Sequence, residues 1–595
     1  LGQFPTVFEL SDLNGTNGFV FEGLPFGELD GRVDKGAGDI NADGFDDLIL
    51  GDSYAGGSYP NIRAGVSYIV FGKSTSFSTP LSDTAASGTS GFTINGESAY
   101  NLSGASVSGV GDVNGDGTDD ILIGAPAVNS NRGAAYVVFG SSTTNFNALD
   151  LSALDGINGF RIDGIANNDR LGGVANTAGD MNNDGIDDFI LGTAGETYVI
   201  FGSSTVNTGS FALSSLDGTN GFTVNTGSSL PVMSNAGDIN GDHFDDIIFG
   251  ESSYGAIGKS YVVFGNSTGS VSSIDLSALN GTNGFTLEGA NTGDGFGTAV
   301  NYAGDVNGDE QDDIIIGAGS FSVNNLGKSY VVFGSTMPFG NTLNVSSLDG
   351  TSGFVINGKN AYSLTGYSVS TAGDVNGDGL DDVIIGASNA NTNLTEGAYV
   401  VFGNSTGGFA SGQFDLSSLD GTNGFVLNGE LNSQFSTINV GNLGDMNGDG
   451  VDDLFLIGST YDNPFPFRSV PLGSFSTNRA YIIFGQSSCI TVSPTVSVAV
   501  SPAQELEGVL PVFDFTFTAS ESVTCQDLIV NFSISGSASF STDYTLSGET
   551  SFGPAMGTGT LTIPEGTNSA VLTVVGLDDA IIEPDETIIV TIENP

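Results

Sequence analysis

The sequence repeats itself seven times, and that repeat limits the available folds more than any other feature. A nine-residue loop of the form D-x-N-x-D-G-x-D-D begins at Asp39, Asp112, Asp180, Asp238, Asp305, Asp374 and Asp445, at separations of 73, 68, 58, 67, 69 and 71 residues. Two other markers keep the same count. A segment of the Tyr-Val-Val-Phe-Gly type ends at Gly72, Gly140, Gly202, Gly265, Gly334, Gly403 and Gly485, and one of the Leu-Asp-Gly-Thr-Asn-Gly-Phe type ends at Phe19, Phe92, Phe160, Phe222, Phe285, Phe354 and Phe425. Self-similarity at a fixed period marks an architecture of stacked units, each too small to bury its own apolar face.

Each unit reads as four short strands. In the sixth these are Leu364–Ala372 before the acidic loop, Asp382–Gly386 after it, Tyr399–Phe402, and Gly424–Gly429. Runs such as DDIIIGA and YVVFG are apolar on both faces, which fits a sheet stacked between two other sheets. Four strands per unit, repeated radially, describe propeller blades. The expected fold is all-β: a seven-bladed β-propeller with calcium-binding loops over residues 1–485, followed by a β-sandwich over 486–595. The chain opens on a Gly-Phe strand and leaves the last repeat without one. The segment Val7–Gly23 is therefore expected as the outer strand of the last blade, a closure that removes exposed edges.

The acidic loop has the donor pattern of a hard-cation site. Side-chain oxygens at positions 1, 3, 5 and 9 and a backbone carbonyl at position 7 make an all-oxygen shell that suits Ca²⁺, and glycine at position 6 permits the turn. The candidate ligands of the first loop are Asp39, Asn41, Asp43, the carbonyl of Phe45, and Asp47. The second offers Asp112, Asn114, Asp116, Thr118 and Asp120, and the third Asp180, Asn182, Asp184, Ile186 and Asp188. Asp238, Asn240, Asp242, Phe244 and Asp246 form the fourth, and Asp305, Asn307, Asp309, Gln311 and Asp313 the fifth. The sixth has Asp374, Asn376, Asp378, Leu380 and Asp382, and the seventh Asp445, Asn447, Asp449, Val451 and Asp453. His243 and Glu310 replace glycine at position 6 of the fourth and fifth loops, so these two are expected to bind most weakly. His243, the single histidine, reads as an exposed loop-tip residue rather than a catalyst.

The charge agrees with this reading. Lys and Arg number 12 against 68 Asp and Glu, for a formal net charge of −56. Such a field repels nucleic acid and anionic membranes. Seven divalent ions would add +14 and bring −56 to −42, leaving the rest as solvated surface. No run of 18 apolar residues occurs, so no membrane insertion is expected. The N-terminus lacks the basic and apolar regions of an export signal, so an exported chain has already lost it. Two cysteines, Cys489 and Cys525, do not make a disulfide scaffold, and the sequence leaves open whether they pair.

The pattern F-G…G-D-x-N-x-D-G-x-D-D-x-x-x-G-A-P resembles the FG-GAP repeat of integrin α-subunit propellers. Phe26-Gly27 and Phe296-Gly297 match the FG element and Gly124-Ala125-Pro126 the GAP element; Gly317-Ala318 and Gly386-Ala387 keep part of it. The resemblance implies calcium-stiffened loops on one face and partner contacts on the other. It departs from integrins in having a metal loop in all seven repeats and no inserted von Willebrand-type domain. After residue 490 the markers vanish, and alternating segments such as FDFTFTA and SAVLTVVGL read as a sandwich. Glu505–Gly508, Ser541–Tyr544 and Asp578–Glu586 are similar to a Calx-β domain. That resemblance implies calcium ligands at Glu507, Asp543, Asp578, Asp579 and Glu583, and the family's last strand is lacking.

No Ser-His-Asp set, Cys-His pair or phosphate loop stands out, so no enzyme is expected. Two classes remain. One is an extracellular, calcium-binding adhesion or recognition protein of the cell surface, taking a protein or glycan on a propeller face. The other is a subunit of an extracellular assembly or filament, joined to copies of itself by strand donation at the C-terminal sheet. The absence of Trp disfavours a lectin.

Overall fold

The computed structural model describes residues 4–592, apart from 23–31, 34, 56–61, 83–87, 143–147, 206–208, 228–231, 254–255, 267–270, 320–325, 361–362, 388–395, 407–408, 410, 430–434, 461–476, 487–495, 502–511, 520–527, 540–542, 548–550, 554–557, 564–568 and 578–586. Strand far outweighs helix, 49% against 6%, so the chain is all-β. It divides into two compact units, Leu1–Gln486 and Ser487–Pro595.

Among the described residues of the first unit lie seven sheets. The sixth shows the common plan. Ser368–Gly373, Asp382–Gly386, Glu396–Val401 and Gly424–Asn428 pair antiparallel in sequence order. Asp382–Gly386 is buried along its whole length, because alternate side chains enter different cores. Ile384 and Val400 pack into one cluster, and Val383, Ile385, Tyr399 and Val401 into the next. This is why both faces of these strands are apolar.

A short parallel outer strand extends all seven sheets beyond the plan read from sequence. Gln413–Asp415 adds to Val355–Asn357 of the fifth sheet, and the chain then passes through a 3-10 turn, Leu416–Ser418, to begin the outer strand of the sixth. Each connection therefore laces one sheet to the next. The same device divides the N-terminal segment expected as one strand. Val7–Glu9 pairs parallel with Val426–Asn428 of the sixth sheet, and Gly18–Glu22 pairs antiparallel with Thr477–Ile483 of the seventh. The 3-10 turn Leu10–Asp12 separates the two.

The marker phenylalanines anchor these lacings. Phe354 stacks on Phe409 at 3.8 Å, Phe285 on Phe339 at 4.3 Å and Phe4 on Phe425 at 4.1 Å. Burying each ring contributes about 1.5–3 kcal/mol. The innermost strands of consecutive sheets neighbour one another in cyclic order. The cycle closes where the Gly36 N–H donates to the Asn442 carbonyl at 3.0 Å.

Among its described residues, the second unit contains two four-stranded sheets. Their inner faces meet in one core that includes Phe515, Phe517, Phe532, Leu561 and Leu572. The alternating segments read from the sequence supply most of these strands, including Val512–Ala519, Leu528–Gly536 and Ser569–Gly576.

Candidate metal loops

Six of the acidic loops, the second to the seventh, begin at a β-bulge, and the first begins at an isolated antiparallel bridge between Gly38 and Asp47. In the sixth sheet the register shifts between Thr371 and Gly373, and Gly373 takes φ +62°. A bulge turns the chain out of the sheet, and it delivers position 1 to the rim. The carboxylate at position 1 then gathers the loop's own amides. In the second loop Asp112 accepts from the N–H groups of Gly115, Asp116 and Gly117 at 2.7, 3.0 and 2.6 Å. Position 5 accepts from position 7, as Asp116 does from Thr118 at 3.1 Å.

The turn demands positive φ at two positions. Position 6 takes +87° at Gly117, +70° at His243 and +65° at Glu310. A Cβ at Gly117 would meet nothing within 4 Å, so the requirement there is backbone conformation alone, and a side chain costs about 1–2 kcal/mol. Position 4 is the second, and sequence reasoning missed it. Gly115 has φ +72°, and Ala42 is held at +56° in the first loop. The His243 side chain is 89% exposed, with Nδ1 3.8 Å from an Asp238 oxygen.

Position 9 is fully buried in all seven loops. Its carboxylate accepts the N–H of the glycine that ends the Tyr-Val-Val-Phe-Gly strand, at 2.8–2.9 Å, from Gly72 on Asp47 through Gly485 on Asp453. In five of the loops the amide of position 3 donates to it as well, from Asn41, Asn114, Asn240, Asn376 and Asn447, with Asn376 reaching Asp382 at 3.1 Å. Burial, with the carboxylates of positions 1 and 5 nearby, pushes Asp47 and Asp188 up to about 9 and Asp120 up to about 8. Asp246, Asp313, Asp382 and Asp453 are raised well above the ordinary carboxylate value for the same reasons.

Among the described residues, no group of three or more Asp, Glu, His or Cys side chains could hold a metal ion by itself. The position 1 and 5 carboxylates are turned onto loop amides. The donor chemistry nevertheless fits a hard cation, with three carboxylates, an amide and a carbonyl in each loop and a buried anion in need of charge compensation. In the fifth loop the buried amide nitrogen of Asn307 has no hydrogen-bond partner. Amide orientation is interchangeable, and the flipped amide would present an oxygen there.

The aspartate at position 8 has a different place. Its Oδ2 accepts the backbone N–H of position 1 in the preceding loop. Asp119 holds Asp39, Asp187 holds Asp112, Asp245 holds Asp180 and Asp312 holds Asp238; Asp381 holds Asp305, Asp452 holds Asp374, and Asp46 holds Asp445. These seven bonds, all 2.7–2.9 Å, form a closed cycle. The glycine before each loop makes the approach possible: a Cβ on Gly179 would lie 2.0 Å from Asp245 Oδ2. The ring lines a cavity of ≈ 520 Å³ that Lys35 also borders. Burial raises Asp245 and Asp381 to about 6, and neighbouring ring carboxylates push the same way. A signal for this clasp was present in the sequence, since position 8 is aspartate in every copy although the metal shell does not use it.

Of the C-terminal candidates, Asp543 accepts the Ser539 N–H; Glu507, Asp578, Asp579 and Glu583 lie outside the described residues, as do Phe26-Gly27 and both cysteines. Among the described residues, no helix is long and apolar enough to cross a membrane.

Comparison with known proteins bears on the repeats. The FG-GAP repeat family matches residues 103–138 and 365–403, which span the second and sixth acidic loops. Integrin alpha-PS2 of Drosophila melanogaster is 26% identical over 287 residues, covering 45% of this chain and 18% of that protein. The chain thus spans less than a fifth of the length of this relative. It carries FG-GAP repeats and is a distant, integrin-α-like homologue.

Proposed function

We propose that this protein is an extracellular, calcium-binding adhesion or recognition protein of the cell surface. In this reading the seven sheets are the blades of a β-propeller, and the second unit is a Calx-β-like sandwich. One observation carries the calcium assignment: in every loop a fully buried carboxylate at position 9 shares its surroundings with the carboxylates of positions 1 and 5. A divalent ion would neutralise charge that the fold otherwise suppresses by protonation. Position 9 anchors the loop to the sheet through the glycine amide, positions 1 and 5 shape the turn, and position 3 adds a neutral oxygen. Loops so fixed hold the strand ends rigid, so that the connections on the other face present a constant surface to a protein or glycan.

The experiment is adhesion of protein-coated beads to cells, or to copies of themselves, with and without a chelator. Calcium-dependent capture of cells supports the recognition reading. Indifference to calcium in every pairing contradicts it.

A second reading, a subunit of an extracellular assembly, has one observation in its favour. In the second unit Ile588–Ile592 pairs with Leu528–Gly536 on one side alone among the described residues, and Ile589 is 53% exposed. Such an edge accepts an added strand. Calcium-dependent filaments in electron micrographs of native material would favour it over recognition.

A further inference from the structure

We infer that the position 8 aspartates are positioning residues that tie each candidate metal loop to the next, so that the affinity of one site is set by a residue of its neighbour. This rests on the calcium reading above.

The geometry is directional. Asp312, within the fifth loop, holds the position 1 amide of the fourth through the 2.7 Å bond from Asp238. The same Asp238 side chain collects the amides of Asp242 and His243 at 2.9 and 2.7 Å. Asp238 is the first candidate ligand of its loop, so a carboxylate fixing its backbone also fixes the direction from which its oxygens enter the shell. A charge-assisted bond of this length is strong, and partners behind a ligand commonly tune metal affinity. The glycine before it takes φ +61°, and a Cβ there would lie 2.4 Å from Asp312 Oδ2. The approach is therefore built into the backbone. Because the bonds close a cycle, ordering one loop favours order in the next, and filling is expected to be cooperative around the ring.

The chain contains no Trp, which makes a site-resolved test possible. A single Trp at position 6 sensitises terbium luminescence from its own loop. His243→Trp reports the fourth loop and Glu310→Trp the fifth, both at positions already held at positive φ by a non-glycine residue. Into each reporter is placed Asp312→Ala. The expected result is a loss of terbium affinity of about tenfold at the fourth-loop reporter and a change within about twofold at the fifth, where the substitution resides. Asp312→Asn, which keeps an acceptor oxygen and removes the charge, restores most of the fourth-loop affinity.

Equal loss at both reporters, a larger loss at the fifth, or no loss at either would overturn the inference. A loss that Asp312→Asn shares would assign the effect to charge and overturn it as well. Asp381→Ala read at the fifth-loop reporter repeats the test one step around the ring, should Asp312→Ala fail to fold. Absence of any terbium signal in both parent reporters would defeat the calcium reading itself and this inference with it.

Discussion

Positions 8 and 9 of each loop are adjacent aspartates with opposite surroundings. Position 9 turns into its own loop, is fully buried, and binds the end of its own sheet. Position 8 turns to the axial cavity and holds the loop of the neighbouring sheet. One residue type in consecutive places thus builds two concentric rings, one stabilising units singly and the other joining them. The difference follows from extended backbone at the start of a strand, where consecutive side chains face opposite ways.

Substitution at the buried ring should have the largest effect. Asp382→Ala orphans the N–H of Gly403 and the amide of Asn376, at about 1–3 kcal/mol for each buried donor left unsatisfied. It should also remove one bound calcium, as read by urea unfolding together with metal analysis. Asp381→Ala, one residue earlier, should leave the calcium count unchanged at saturation and cost about 1.5–3 kcal/mol for a charged hydrogen bond. If the two variants lose the same number of ions, the distinction between the rings fails.

The pH dependence sharpens the contrast next. The position 9 carboxyls have folded values raised to about 8 or 9 in Asp120, Asp47 and Asp188. Their contribution is complete below the unfolded carboxylate value near 4 and is lost as pH rises through those folded values. Metal-free protein should therefore melt at a lower temperature at pH 9 than at pH 5. Calcium-loaded protein should show the reverse, because protons compete with the ion for the same oxygens. Melting curves in chelator and in calcium across that range check both signs.

The smallest effect concerns the loop backbone. Glu310→Gly relieves a positive φ at about 1–2 kcal/mol, partly offset by glycine's freedom in the unfolded chain. The net gain should be a few tenths of a kcal/mol up to about 1 kcal/mol, seen as tighter calcium binding at the fifth loop. Ala42→Gly should give a gain of the same size in the first loop.

Much of this was legible in the residues. The strand after each loop could be read because it is apolar on both faces, and Asp382–Gly386 carries the same bounds in sequence and structure. The turn at position 6 was marked by glycine in most copies. Position 4 was hidden because the ligand pattern treats it as free, although glycine or asparagine occupies it everywhere except Ala42. The clasp was hidden for another reason. Its partner lies 65 to 80 residues away in six of the clasps and 399 residues away in the one between Asp445 and Asp46, and nothing local in the loop specifies that distance. The parallel outer strands are two or three residues long, too short for an alternation to register.

Calcium stoichiometry by native mass spectrometry tests the central claim most directly. Protein equilibrated with calcium and desalted should carry about seven ions from the acidic loops, and more if the C-terminal unit binds as well, all lost to a chelator with a fall in melting temperature. A chain that carries no calcium, and whose melting temperature a chelator does not move, would contradict the account.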